Sequence, residues 1–194
     1  MIDEFCLDAK KFIVVYAGNF GAAQGADVIL KAADILKEEK DISFVIFGGG
    51  AEFEKAKTEV KELALENVEL NPLLPADRVP EVYSLGNVAL ITCKPGVGNS
   101  GMPSKTWSIM ACNTPVIASF DTDSELAEII QMAKSGVCVE PANPTALADA
   151  IKNAYLLYKQ KGAEDCNSRE FVEQYAEKKI CVQKYINVIT NVVE

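Results

Sequence analysis

The alternation of two kinds of segment constrains this fold more than any single motif does. Short β-branched runs without polar alternation follow one another, separated by stretches with apolar residues at helical spacing. Apolar strands joined through helices predict a parallel sheet covered on both faces, with right-handed crossovers. We therefore predict an α/β fold with a doubly wound, six-stranded parallel sheet. The predicted strands are residues 12–17, 42–47, 68–70, 88–92, 115–119 and 136–139.

The segments between the strands predict amphipathic helices. A brief helix is expected around residues 80–84, and a longer one over 145–158, where Asn143 and Pro144 form a start signal. Residues 164–194 are also predicted to be helical, and their last segment is apolar enough that we expect it to pack on the rest of the chain. The apolar faces of the first two helices are Val28, Ile29, Ala32, Ala33 and Leu36, then Phe53, Ala56, Val60, Leu63 and Ala64.

Composition excludes several classes of function. With no histidine among its 194 residues, the chain cannot house a histidine-based acid/base, catalytic triad or metal mechanism. A formal charge of −9 disfavours nonspecific binding of nucleic acid. The cysteines are scattered without a Cys-x-x-Cys pair, so neither a zinc site nor a disulfide framework is indicated. No apolar run is long enough to span a membrane, and the N-terminus lacks secretory-signal features, so a cytoplasmic location is expected.

Two loops follow the strands at which ligands bind in doubly wound sheets, where the strand order reverses. The first, Gly18 to Gly25, is a glycine-rich turn before a helix, which favours a phosphate, although its glycines could serve sterics alone. The second runs from Lys94 to Lys105 and carries three glycines and a proline suited to the first turn of a helix. Lys105 adds a positive charge there, unless it is a solvated surface lysine. Together the loops predict a diphosphate site.

The motifs in these segments resemble those of a known family. They are Tyr16-Ala17-Gly18-Asn19-Phe20-Gly21, Phe44 to Gly50, Met102-Pro103-Ser104-Lys105 and Met110 to Ala118. In this order they are similar to the C-terminal donor domain of group 1 (family 4) GT-B glycosyltransferases, in the polysaccharide-assembly branch. The resemblance implies that residues 12–162 form a Rossmann-like nucleotide-sugar-binding domain. Residues 1–11 would be a remnant of an interdomain linker, and 163–194 a helical extension packing on the domain.

The resemblance also implies a donor site. Family members bind a nucleoside-diphosphate sugar, retain the anomeric configuration on transfer and generally need no metal or other cofactor. Carried over, Gly18, Asn19 and Gly21 approach the donor phosphates from one side, Leu73 and Leu74 contact the base, and the region of Ser108 holds the ribose. The loop on the opposite side of the phosphates is Gly101, Met102, Pro103, Ser104 and Lys105.

Departures from the family pattern change which residues are expected to bind the donor. Asn19 and Gln24 stand where many relatives carry Arg and Lys, which leaves Lys105 and Lys94 to supply positive charge. The family's paired glutamates fall on Ser100 and Ser108. Asp123 and Glu125 are then candidates for recognising sugar hydroxyls. The stretch Asp121-Thr122-Asp123 is interpreted as a turn and not as a metal site.

The leading hypothesis is the donor-binding half of a retaining, metal-independent glycosyltransferase of cell-surface polysaccharide biosynthesis. Its partners would be the donor and a missing N-terminal acceptor domain, with the membrane reached only through a lipid-linked acceptor or peripherally in the full-length protein. We expect this chain, as a truncated or split product, to bind donor weakly and transfer nothing. An NAD-dependent oxidoreductase is disfavoured because the second strand ends in Phe47-Gly48-Gly49, without the acidic residue such domains use. A noncatalytic nucleotide-binding or docking module stays open.

Overall fold

The fold is a six-stranded sheet with helices on both faces. A computed structural model describes residues 1–5, 7–162 and 166–193, with the side chains of Val192 and Val193 outside the description. The strands are β1 (Phe12–Asn19), β2 (Ile42–Gly49), β3 (Val68–Pro72), β4 (Val88–Thr92), β5 (Val116–Ser119) and β6 (Gly136–Val139). The helices are α1 (Asp27–Ile35), α2 (Phe53–Glu62), α3 (Val79–Leu85), α4 (Lys105–Ala111), α5 (Glu125–Met132), α6 (Pro144–Lys161), α7 (Ser168–Tyr175) and α8 (Lys178–Val193).

The strand order is β3-β2-β1-β4-β5-β6, and every paired strand is parallel. The predicted doubly wound α/β sheet is therefore confirmed. β1 and β2 run two residues further than predicted, because Gly18 pairs with Gly48 and Asn19 with Gly49 in the same register. A ladder between parallel strands uses backbone groups alone, so it continues through glycines that the apolar pattern does not mark.

Two hydrophobic layers hold the helices on the sheet. β1 is buried on both faces, and its side chains alternate between the layers, as for Val14 and Val15. The first layer packs α1, α2 and α6 on the sheet, and the second packs α3, α4, α5 and α7 on the other face. The predicted face of α1 is buried throughout. α6 begins at Pro144, where the Asn143 side chain accepts a hydrogen bond from the Ala146 amide, as its start signal predicted.

The N-terminal segment folds back onto the second layer. The ring of Phe5 meets that of Phe47 edge to face, with centroids 5.1 Å apart. Both carboxylate oxygens of Glu4 accept hydrogen bonds from Arg78, at 2.7 and 2.9 Å. The segment predicted as a linker remnant is thus packed beside the start of α3.

Two helical predictions differ from the structure. α2 ends at Glu62, so Leu63 and Ala64 lie beyond it and are exposed, whereas both were predicted on its apolar face. Ala64 takes a left-handed φ of 50°, which ends the helix there. In the C-terminal extension α7 packs against α4, but α8 leaves apolar side chains such as Tyr185 exposed (72%), unlike the packing expected of it. The start of the extension, residues 163–165, lies outside the described residues.

Gly136 is predicted to be intolerant of a side chain. It begins β6 with φ +150°, and a Cβ there would collide with the carbonyl oxygen of Val116 on β5. We expect Gly136→Ala to lower the free energy of unfolding by about 3 kcal/mol, measured by urea denaturation. The matched control is Gly162→Ala, because Gly162 also has positive φ (+80°) but open space around it. This control should cost only about 1 kcal/mol, and equal losses would contradict the steric explanation.

Candidate functional site

The candidate site lies where the strand order reverses between β1 and β4. The loops that leave these strands touch each other directly, since the Lys94 amide donates to the Ala23 carbonyl at 3.0 Å. Gly25, with φ +57°, packs so closely on the backbone of Cys93 that a Cβ would lie 3.2 Å from it. A residue with a side chain would push the two loops apart. The sequence therefore places glycine where the loops must converge.

A cavity of about 380 Å³ opens between these loops. Its lining confirms that the two segments singled out in the sequence share one space at the carboxyl ends of the strands, where doubly wound sheets bind ligands. The lining residues are Ala23, Gln24, Ile91, Thr92, Cys93, Val97, Ser100, Gly101, Met102, Pro103, Ser104, Lys105 and Phe120.

Lys105 is the cation of this cavity. It begins α4 and reaches across the reversal point, where its Nζ lies 4.3 Å from the ring centroid of Tyr16 on β1. The Tyr16 ring is fully buried, and its hydroxyl donates to the Asn19 carbonyl at 3.1 Å. A Cβ on Gly18 would collide with the ammonium group, so that glycine leaves the room the lysine occupies.

The charge of Lys105 is not neutralised by a neighbour. Burial lowers the pKa of its ammonium group to about 8, and no acidic side chain among the described residues forms an ion pair with it. The alternative of a solvated surface lysine is therefore wrong. The contact with the Tyr16 ring compensates part of the desolvation. The part of the desolvation free energy that this contact does not compensate favours the binding of an anion in the cavity.

The first loop has the predicted order of a glycine-rich turn followed by a helix. The turn ends at Gly25 and Ala26, and α1 begins at Asp27. The first turn of this helix carries the Asp27 carboxylate, paired with Lys31 at 2.7 Å. The residues of this loop that line the cavity are Ala23 and Gln24, in the turn ahead of the helix.

The second loop is held by a residue whose role the sequence analysis missed. Asp121, directly after β5, accepts hydrogen bonds from the amides of Gly96 and Gly98. The interpretation of Asp121 to Asp123 as a turn did not anticipate this contact between loops. Its position at the carboxyl end of the strand beside β4 was the only available signal.

The remaining predicted residues are not among those that line the cavity. Leu73 lies against the backbone of Gly49 and is 49% exposed at the end of β3. Asn19 and Gly21 lie beside Gln24 in the first loop, where a Cβ on Gly21 would be 2.7 Å from the Gln24 Oε1. The others are partly buried Leu74 and exposed Lys94, Ser108, Asp123 and Glu125.

Comparison with known proteins identifies the family. The family model of glycosyl transferases group 1 matches residues 3–179 of the chain. This chain belongs to the group 1 glycosyltransferases. A curated relative, the colanic acid biosynthesis glycosyl transferase WcaI of Escherichia coli K12, whose name marks the role as provisional, is 30% identical over 184 residues. That alignment covers 94% of this chain but 44% of WcaI, so the chain spans less than half the length of this relative.

Solved glycosyltransferases share the fold. Anabaena Alr3699/HepE, determined with UDP, superposes with a TM-score of 0.80 at 15% identity, over 94% of this chain and 49% of that one. The C-terminal domain of the group 1 protein LpcC from Francisella tularensis gives 0.70 at 20% identity, over 86% and 87% of the two chains. This chain thus has the Rossmann-like architecture of GT-B glycosyltransferases, as the resemblance implied. Within the described ranges, no helix is long and apolar enough to cross a membrane.

Replacing Lys105 with an uncharged side chain is predicted to stabilise the fold. Because the pKa of Lys105 is lowered to about 8 in the folded state, its charge lowers the free energy of unfolding of the ligand-free protein at pH 7. Lys105→Met should raise the free energy of unfolding at pH 7 by about 1 kcal/mol, after loss of the Tyr16 contact is subtracted.

The difference in stability between Lys105→Met and the wild type should depend on pH. Between about 8 and 10.5 the unfolded chain binds the lysine proton more tightly than the folded chain does, so the wild type gains stability as pH rises. The advantage of Lys105→Met should therefore shrink towards pH 10. Urea denaturation of both proteins at pH 7 and pH 10 measures it, and a methionine variant that is less stable at pH 7 would contradict the prediction.

Proposed function

We propose that this glycosyltransferase domain binds the nucleoside diphosphate of a sugar donor in the cavity between the β1 and β4 loops. The observation that carries the proposal is the ammonium group of Lys105, which lines the cavity, is desolvated and forms no ion pair with an acidic side chain of the described residues. A diphosphate supplies the missing negative charge, and hydrogen bonds that include a charged partner are the strong ones. UDP is the first ligand to test, because the similar HepE structure contains it.

The proposed chemistry is departure of the nucleoside diphosphate from the sugar while an acceptor hydroxyl attacks on the same face. The bond from the anomeric carbon to the β-phosphate oxygen breaks, a bond to the acceptor oxygen forms, and the hydroxyl proton passes to the departing phosphate, on which negative charge grows. Lys105 and the backbone N–H groups of Gly101, Met102 and Ser104 would stabilise this charge as donors fixed in advance. Retention of configuration and independence of metal follow from the family resemblance and are part of the proposal.

Acceptor binding is assigned to protein beyond this chain. The chain covers 44% of WcaI, and residues for an acceptor would come from the part it does not match. We therefore expect donor binding without sugar transfer by the isolated chain. A role in cell-surface polysaccharide assembly, at the cytoplasmic side and on a lipid-linked acceptor, is proposed by analogy with the colanic acid relative.

Calorimetry with UDP, GDP, a UDP-sugar and NAD tests the proposal against its rivals. Binding of a nucleoside diphosphate but not NAD is expected. Binding of NAD alone would favour an oxidoreductase domain, although β2 ends in glycines without an acidic side chain for a ribose. Binding of none of these ligands would favour a docking module, and sugar transfer by the isolated chain would refute the assignment of acceptor binding elsewhere.

Removal of the Lys105 charge should weaken this binding. We expect Lys105→Ala to reduce the affinity for UDP at pH 7 by about 1–3 kcal/mol, the usual cost of losing a charged hydrogen-bond partner. Lys37→Ala is the matched control, because it removes an exposed lysine just after α1 that pairs with Asp34 and does not line the cavity. Unchanged affinity in the Lys105 variant would show that the phosphates bind elsewhere.

The affinity for UDP should also depend on pH through Lys105. The free protein loses the Lys105 proton as the pH passes about 8, so binding should weaken about ten-fold between pH 7 and pH 9. In Lys105→Ala the affinity should be flat over this interval. Calorimetry at both pH values measures the slope, and equal slopes in the two proteins would assign the titration to another group.

A further inference from the structure

Asp121 holds residues 96–98, the first part of the loop between β4 and α4. Its Oδ1 accepts a hydrogen bond from the Gly96 amide at 3.0 Å, and its Oδ2 accepts one from the Gly98 amide at 2.7 Å. Each carboxylate oxygen thus holds one backbone N–H of the same short stretch. Hydrogen bonds from backbone amides to an ionised carboxylate are stronger than neutral ones.

The two glycines of this stretch, Gly96 and Gly98, allow the contact with Asp121. Gly96 has φ +77°, which favours glycine. A Cβ on Gly98 would lie 2.7 Å from the Phe120 ring and 2.8 Å from the Asp121 Oδ2, so only a glycine allows the carboxylate this close. The sequence therefore provides both partners of the contact, the acidic residue after β5 and the glycines opposite.

The loop held in this way forms one wall of the cavity. Val97, which lies between the held amides, and Ser100, which follows them, line it, as do residues 101–104 further along. Asp121 itself is not among the lining residues. The residue touches the wall and not the space, which suits a role in positioning.

We propose that Asp121 is a positioning residue, which holds the β4–α4 loop in the geometry that accepts the donor diphosphate. This inference rests on the proposed function. By fixing the amides of Gly96 and Gly98, the carboxylate orders the loop that leads into Lys105 before a ligand arrives. The binding free energy is then not reduced by the entropy lost on ordering that loop. The role is distinct from that of Lys105, which would contact the ligand directly.

Asp121→Asn tests the role, because asparagine keeps the size of the side chain but offers one acceptor oxygen in place of two. We expect faster amide hydrogen exchange at residues 96–98 in the ligand-free protein and about ten-fold weaker UDP binding. Asp149→Asn is the matched control: it makes the same change of charge on an exposed side chain of α6, which does not line the cavity. It should leave both measurements unchanged.

Asp121→Glu serves as the rescue variant, since it restores both acceptor oxygens. Its UDP affinity should lie between those of Asp121→Asn and the wild type. Folding is checked by thermal denaturation, and if Asp121→Asn does not fold, the glutamate variant carries the test through its exchange rate and affinity. The single Trp107, on α4 just after Lys105, gives a fluorescence signal of the same region.

The outcomes separate the two proposals. Weaker binding with faster exchange in Asp121→Asn supports the positioning role. Wild-type affinity in that variant overturns it, even if thermal stability falls, because the carboxylate then stabilises the fold only. A wild-type chain that binds no nucleoside diphosphate overturns the proposed function and the binding role of Asp121. In that case the exchange rates of the ligand-free proteins still show whether the carboxylate orders the loop.

Discussion

The position of β1 in the sheet determines where the chemistry of this protein can lie. β1 pairs with β2 on one side and β4 on the other, and the chain leaves β1 and β4 towards helices on opposite faces. The two loops touch at Ala23 and Lys94, and a cavity lies between them at the carboxyl ends of the strands. The glycines of both loops, and the lysine that spans them, all follow from this one reversal of strand order.

Within that cavity the structure tolerates an unfavourable charge. Lys105 is packed on Tyr16 and against Gly18, in surroundings that lower its pKa and, within the part of the chain that the structure describes, offer it no acidic partner. A core built only for stability would place an apolar side chain there, since an unpaired buried charge costs free energy. Sites where local stability is given up in this way are expected where a protein binds a ligand.

The sequence predicted the layers of the fold because burial leaves a repeating pattern. β4 and β6 have the predicted bounds, and four of the five buried residues of α1 were predicted. The error at the end of α2 arose where backbone conformation and not hydrophobicity sets the structure. The left-handed Ala64 ended this helix before the predicted Leu63 and Ala64.

The candidate site was predictable to a similar degree. Lys105 and the neighbouring loop residues were found because charge and glycine stand out beside apolar strands. Asp121 was not, because its partners are backbone amides 23 and 25 residues away, which carry no signature in the sequence. Such contacts appear only when neighbouring strands bring their loops together.

The desolvated amine of Lys105 also makes this residue a site for covalent labelling. At pH 7.5 a lysine with a pKa of about 8 is roughly one-quarter neutral, whereas an ordinary lysine is neutral at about one part in a thousand. Only the neutral amine is a nucleophile. Acylating reagents small enough to enter the cavity will therefore modify Lys105 ahead of ordinary surface lysines, and the extent of this covalent labelling reports directly on whether the cavity is occupied.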